Sequence, residues 1–259
     1  MSVPVFEIIG APGSGKTSLI NHILKCTSLN SRPVISSPAI AIKVPRRYFR
    51  GFSKLSFALS NKADLFNKIL LSRAGGINHD YFKMESDENL TDFVDYSLGL
   101  IYSQESSWIR KSLIAKWWTD TFLNRMRLEC STEKQLLCLD DEPLSYRLSL
   151  FSFLTDQSVI RKYYEIMPLP SGVVHIQVSK EEILQRLRSR DRVAVRHKNL
   201  SEEDLIIDIA FSVNVANLAR DVLESRGVPV LQLDGSNNIE SNAECVINFV
   251  RNSTSIRLN

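Results

Sequence analysis

Gly10-Ala11-Pro12-Gly13-Ser14-Gly15-Lys16-Thr17 is the stretch on which the reading of this chain turns. It matches G-x-x-x-x-G-K-[ST] at every position. Before it, Val3 to Ile9 is a short apolar run with β-branched side chains, the pattern of a buried strand. After it, Leu19, Ile20, Ile23 and Leu24 recur at helical spacing within Lys16 to Cys26. Strand, glycine turn and helix together are the setting in which the octapeptide has physical meaning. The glycines let main-chain N–H groups converge on an anion with no Cβ in the way. The helix points its amino end at the same place. Lys16 adds a point charge suited to β- and γ-phosphates, and the Thr17 hydroxyl can ligate magnesium. Gly10 through Ser18 are therefore the expected triphosphate-binding residues, with ATP and Mg2+ as the expected cofactors.

Further along, apolar runs alternate with helical periodicities. A short second strand is expected within Pro33 to Val44, a third over Gln135 to Leu139, a fourth over Gly172 to Val178 and a fifth over Val228 to Leu233. Helices are expected over Leu148 to Met167, Lys180 to Arg192, Glu202 to Arg226 and Ser241 to Arg251. In the long helix Leu205, Ile206, Ile209, Val213, Ala216 and Val222 should face inward. Such alternation implies an α/β fold, a three-layer αβα sandwich around a parallel sheet of about five strands, of the P-loop NTPase type. Residues 1–45 and 130–259 make up this core. Residues 46–129 exceed an ordinary crossover and read as a helical insertion bearing the acceptor site. Its long amphipathic stretch runs from Leu90 through Trp108, Trp117 and Trp118 to Met126, and the tryptophans are expected in the core.

A phosphate loop needs an acidic partner at the end of a neighbouring buried strand. Leu136-Leu137-Cys138-Leu139-Asp140-Asp141 supplies it, followed by Glu142. Asp140 or Asp141 would join Thr17 on the metal side, and Asp141 or Glu142 could accept a proton from an attacking hydroxyl. Spacing alone does not divide these tasks. After the fourth strand come Arg186, Arg188, Arg190, Arg192 and Arg196. Arg186 and Arg190 lie i, i+4 on one helix face, where they could offset charge on a transferring phosphoryl group. Lys43, Arg46, Arg47 and Arg50 read equally as an acceptor clamp or a solvated loop. Asn61-Lys62-Ala63-Asp64 imitates a guanine-reading N-K-x-D. It precedes the acidic strand, and no D-x-x-G follows that strand, so it reads as a surface helix start.

These residues resemble the P-loop nucleoside and nucleotide kinase group. Gly10 to Thr17, Asp141-Glu142 with Arg147, the helix from Glu181 to Arg190, and Val230 to Ser236 followed by a helix carry the resemblance. It implies a Mg-dependent kinase that moves the γ-phosphoryl group of ATP to a small-molecule acceptor. Lys16, Asp141, Glu142, Arg186 and Arg190 would be the catalytic residues. The loop at Asp234 and Gly235 would lie against the nucleotide base. Asp141-Glu142-Pro143-Leu144-Ser145-Tyr146-Arg147 stands where thymidylate and deoxynucleoside kinases have a D-R-Y/H-type motif, which leaves the acceptor open. A P-loop ATPase acting as a conformational switch is the alternative.

Composition excludes several other classes. A hydrophobic fraction of 44% with 24% charged residues suits a globular chain. A net charge of +3 without a long basic tract gives no expectation of nucleic-acid binding. The four cysteines show no Cys-x-x-Cys spacing, so neither a zinc site nor a disulfide framework is expected. No signal peptide and no run of about 18 apolar residues is present, which points to a cytoplasmic protein with no membrane partner.

Overall fold

The computed structural model describes residues 3–26, 34–36, 88–103, 106–129, 137–150, 154, 156–189, 197 and 200–255. Five strands, β1 (Val5–Ile9), β2 (Val34–Ser36), β3 (Leu137–Asp140), β4 (Gly172–Gln177) and β5 (Val230–Asp234), form one sheet in the order β2-β3-β1-β4-β5. Every pairing is parallel. Helices α1 (Lys16–Cys26), α2 (Glu88–Tyr102), α3 (Trp108–Glu129), α4 (Gln157–Ile166), α5 (Lys180–Arg188), α6 (Glu202–Ser225) and α7 (Ile239–Ser255) flank it, with a 3-10 turn at Leu144–Leu150. This is the expected α/β sandwich with a parallel sheet.

Strand alternation divides the core. Phe6, Ile8, Leu137, Leu139, Val174, Ile176 and Leu233 point to one face, where Leu19, Ile20 and Ile23 of α1 and Val246 and Val250 of α7 cover them. Ile9 and Val173 point to the other, beneath α2, α3, α4, α6 and the 3-10 turn. Phe93 and Trp118 lie in that second cluster, so α2 and α3 share the core of the sheet. Serines and an aspartate start the later helices as N-caps. Asp156 accepts from Ser158 N, Ser179 from Glu182 N and Ser201 from Asp204 N.

Several sequence expectations need correction. β5 begins at Val230 because Pro229 has no N–H to give the ladder, although its carbonyl accepts from Val173 N at 2.9 Å. It continues to Asp234, opposite Gln177. β3 reaches Asp140, opposite Glu7. The helix expected over Leu148 to Met167 is divided, since the Asp156 cap starts α4 afresh. The stretch from Leu90 to Met126 is two helices. Ile206 is 44% exposed, and Trp108 is 72% exposed while Trp118 is buried. Of the cysteines, Cys138 is buried and Cys245 exposed. Burial pushes the Cys138 thiol well up, helped by the Asp140 carboxylate, so it stays protonated. Among the described residues no helix is long and apolar enough to cross a membrane.

Candidate triphosphate site

The loop joins β1 to α1, where the chain must turn from the sheet edge into a helix. Gly10, Gly13 and Gly15 have φ of 149°, 92° and 95°, conformations that side-chain-bearing residues rarely take. At Gly10 a Cβ would stand 2.6 Å from Ile176 O and 2.7 Å from Ser14 Oγ. The loop is thus a cradle that a side chain would fill. Ser14 N donates to Ala11 O at 3.1 Å and Leu19 N to Gly15 O at 2.9 Å, which fixes the turn and starts the helix. The Ser14 hydroxyl is buried with no hydrogen-bond partner. A buried orphan of this kind beside converging amides fits an absent anion.

Lys16 folds back over the loop. Its Nζ donates to Gly10 O at 2.5 Å and Ala11 O at 3.1 Å, and lies 4.7 Å from the centre of the Tyr146 ring. Thr17 Oγ1 donates to Asp141 Oδ2 at 2.8 Å. Parallel pairing of β1 with β3 carries both strands in step to the same edge, which is why residues so distant in sequence meet. Asp140 and Asp141 differ in surroundings. Asp140 is buried, and its Oδ1 accepts from Glu142 N at 3.0 Å, closing the turn after the strand. Asp141 is the one that reaches the α1 hydroxyl. Glu142 is exposed and pairs with Arg147 at 2.9 Å, whose Nε donates to Thr121 Oγ1 of α3 at 2.5 Å.

Arg186 lies behind the loop. It donates to Gly13 O at 3.3 Å, Gly235 O at 2.7 Å and Glu182 Oε1 at 2.6 Å. In this geometry it ties α5 and the β5–α7 turn to the loop. Arg188 pairs with Glu202 on the surface. Gly235 has no room for a Cβ, which would meet Val178 Cγ2, Ile176 Cγ2 at 2.9 Å and Ser14 O at 3.1 Å. Asp234 Oδ1 accepts from Ser236 N at 2.8 Å and Ser236 Oγ at 2.6 Å, bonds that hold its carboxyl below the usual range. Ser18 is exposed beside Thr17. Arg190, Arg192, Arg196, Lys43, Arg46, Arg47, Arg50 and Asn61 to Asp64 lie outside the described residues.

The sequence did not single out Glu7. It is buried on β1, with Oε1 3.4 Å from Arg125 NH1 of α3 and Oε2 accepting from Ser145 N at 3.2 Å. Arg125 also donates to Leu169 O at 2.7 Å. A charged residue inside the apolar run from Val3 to Ile9 was the available signal. The pair ties α3 and the 3-10 turn, which carries Tyr146 and Arg147, to the sheet beside the loop.

Fold and site together define an α/β protein with a glycine-rich loop after β1 and a strand-end carboxylate beside it. A family model described as DDE superfamily endonuclease matches residues 82–230, more than half of the chain, and by that match the chain belongs to this family. The match begins downstream of the phosphate loop. Over its span the described strands are parallel, and no group of three or more His, Cys, Asp or Glu side chains suited to a metal ion occurs among the described residues. It therefore assigns no residue a role here. No curated protein matches the chain. Among solved structures, the chain is similar to a deoxyadenosine kinase from M. mycoides with bound dATP, at 10% identity and a TM-score of 0.44, covering 95% of this chain and 98% of that one. It is also similar to a gluconokinase from Sinorhizobium meliloti 1021, at 13% identity and 0.39, covering 98% and 96%. A shikimate kinase from Acinetobacter baumannii in complex with shikimate follows at 12% and 0.36, covering 96% and 93%. Likeness at this level says nothing of substrate.

Proposed function

We propose that this chain is a kinase that binds ATP with Mg2+ at residues 10–18 and moves the γ-phosphoryl group to a small-molecule hydroxyl. The observation that carries the reading is the 2.8 Å bond between Thr17 and Asp141 at the mouth of the glycine cradle. It joins the two groups that a Mg2+–triphosphate requires, one from the first turn of α1 and one from the turn after β3. Mg2+, when bound, would be held by Thr17 and Asp141 and would neutralise charge on the phosphate oxygens. Lys16 would exchange the Gly10 and Ala11 carbonyls for phosphate oxygens. The acceptor oxygen attacks the γ-phosphorus, the bond to the β-phosphate oxygen breaks, and ADP leaves. The acceptor proton passes to a carboxylate, for which exposed Glu142, oriented by Arg147, is the candidate. Asp140 holds the turn that sets Asp141 and Glu142 apart. Arg186 serves the loop from behind, Asp234 and Gly235 close its far side against the nucleotide, and Arg190 would reach the phosphoryl group directly.

The test is ADP release with a panel of nucleosides, sugars and other small alcohols. Slow release alone and much faster release with one acceptor is expected. Lys16→Ala should lower turnover on the order of 10²–10³-fold, as removal of a preorganised charge at a transition state does. Unchanged turnover in that variant rejects the assignment. Stimulation by a protein partner alone would indicate a switch ATPase. The family match favours a second reading, endonucleolytic cleavage of a nucleic acid. Nicking of a supercoiled plasmid that survives Lys16→Ala would support it over the kinase.

A further inference from the structure

Lys16 ends in an ammonium on a flexible four-carbon stem with rotatable donors. Such a group has no fixed place unless its surroundings give it one. Two of its contacts are main-chain carbonyls, Gly10 O at 2.5 Å and Ala11 O at 3.1 Å. A further contact is of another kind. The ammonium stands over the Tyr146 ring, 4.7 Å from its centre, within the reach at which a cation is drawn to the negative face of an aromatic ring.

Tyr146 is itself held in place. Its N donates to Pro143 O at 3.1 Å, and it packs against the core beneath α2, α3, α4 and α6. The residue before it, Ser145, donates its N–H to Glu7 Oε2 at 3.2 Å, which ties the turn to β1. The residue after it, Arg147, donates to Thr121 Oγ1 of α3 at 2.5 Å and to Glu142 Oε2 at 2.9 Å. A ring anchored on three sides thus lies beside a side chain with much freedom of its own. Three successive residues of one turn reach β1, the ammonium and the acidic strand end in that order.

In the kinase reading, on which this inference rests, the Gly10 and Ala11 carbonyls give way to phosphate oxygens. Those oxygens take over N–H groups and leave the face of the ring where it is. During transfer the ammonium must stay beside oxygens whose charge is shifting, and a displaced charge there costs rate. We propose that Tyr146 is a positioning residue for phosphoryl transfer, whose ring face holds the Lys16 ammonium at the mouth of the loop after the carbonyls have released it. The effect runs through Lys16. It is larger in the transition state than with bound ADP, which has no γ-phosphate.

The experiment measures ADP release from Mg-ATP by the full-length protein, without acceptor, together with ADP affinity by calorimetry. Tyr146→Leu should lower kcat about 2- to 30-fold, the range that a cation–π contact spans. ADP affinity should change by less than about twofold, the split expected of a transition-state effect. Tyr146→Phe keeps a ring face and should retain most of the turnover. Should the leucine variant fail to fold, the ring is graded instead. One, two and three fluorines on a phenylalanine at position 146 withdraw charge from the ring face and nearly preserve its shape. kcat should then fall stepwise with each fluorine, a series that packing alone does not produce. A flat fluorine series, or Tyr146→Leu as fast as Tyr146→Phe, would overturn the role of the ring. Equal losses in kcat and ADP affinity in Tyr146→Leu would also overturn it, and would assign the residue to the shape of the turn. A wild type that releases no ADP, with or without acceptors, removes the kinase reading and this role with it. A wild type that turns over while the fluorine series stays flat removes this role alone.

Discussion

The two faces of the sheet are built from different chemistry. Under α1 and α7 the contacts are aliphatic and aromatic, with Ile8, Ile20, Leu139, Val174 and Val246 buried. Across the sheet, beneath α3, α4, α6 and the 3-10 turn, the core also holds Glu7, Arg125, His175 and a hydrogen-bonded chain of rings. Trp118 Nε1 donates to Tyr163 OH at 3.2 Å, and that hydroxyl donates to Leu144 O at 2.9 Å. Aliphatic packing is non-directional and tolerates small shifts. Buried hydrogen bonds fix orientation, and a partner removed leaves an unsatisfied group. Helix α1 rests on the tolerant face, while Ala11 of the loop packs with Ile183, Leu187 and Ile209. The turn that carries Tyr146, Arg147 and the acidic strand end rests on the polar one. The polar face therefore sets where the strand-end groups meet the loop.

Breaking the buried ion pair is the strongest test of that contrast. Arg125→Met should destabilise by about 3–5 kcal/mol, because Glu7 is left charged and 1% exposed. Glu7→Leu added to it should restore part of the loss in urea denaturation. Recovery stays incomplete, since Ser145 N and Leu169 O lose their partners. If the single variant is as stable as the wild type, the polar face is not what holds α3 to the sheet.

His175 sharpens the contrast through pH. Its pKa falls from 6.5 unfolded to about 4 folded, with burial as the main cause. Between these values the unfolded chain binds the proton and the folded protein does not, so stability rises with pH across this window. It is complete above about pH 6.5 and is lost progressively as pH falls towards 4. The full effect is up to about 3 kcal/mol at 1.36 kcal/mol per unit. Stability of the wild type at pH 7 and pH 4.5, set against His175→Phe, isolates the contribution. An equal loss in both proteins would assign it to other groups.

How far the sequence revealed this molecule follows the same division. Local patterns sufficed for β1, the loop and α1, because the octapeptide, the run before it and the period after it lie within 26 residues. The parallel sheet followed from alternation, and the strand-end acids from an apolar run. Glu7 and Arg125 were missed because their partnership joins a strand to a helix more than a hundred residues away, which no period reports. Ile206 was placed inward because a period of 3.6 cannot say where along a helix the cover ends. Near the amino end of α6 Ile206 and Ile207 stay exposed while Ile209 is buried. Arg186 was expected to share a helix face with Arg190, which lies outside the described residues. The contacts of Arg186 with Gly13 O and Gly235 O depend on how α5 docks, a tertiary fact that spacing does not hold.

Two small deletions compare the faces most directly. Tyr163→Phe removes one oxygen and leaves Trp118 Nε1 and Leu144 O buried without it, at about 1–3 kcal/mol. Because Leu144 opens the turn bearing Tyr146 and Arg147, kcat for ADP release should fall as well. Ile20→Val removes one methyl group from a site 1% exposed on the aliphatic face and should cost only about 0.5–1.5 kcal/mol. Ile20 lies on α1 only three residues beyond Thr17, closer in sequence to the loop than any residue of the turn. If proximity to the loop governed the site, Ile20→Val would disturb turnover more than Tyr163→Phe does. If directional bonding governs it, the order reverses: Ile20→Val leaves kcat unchanged while Tyr163→Phe lowers it. Urea denaturation and steady-state kinetics on the same two variants decide between them.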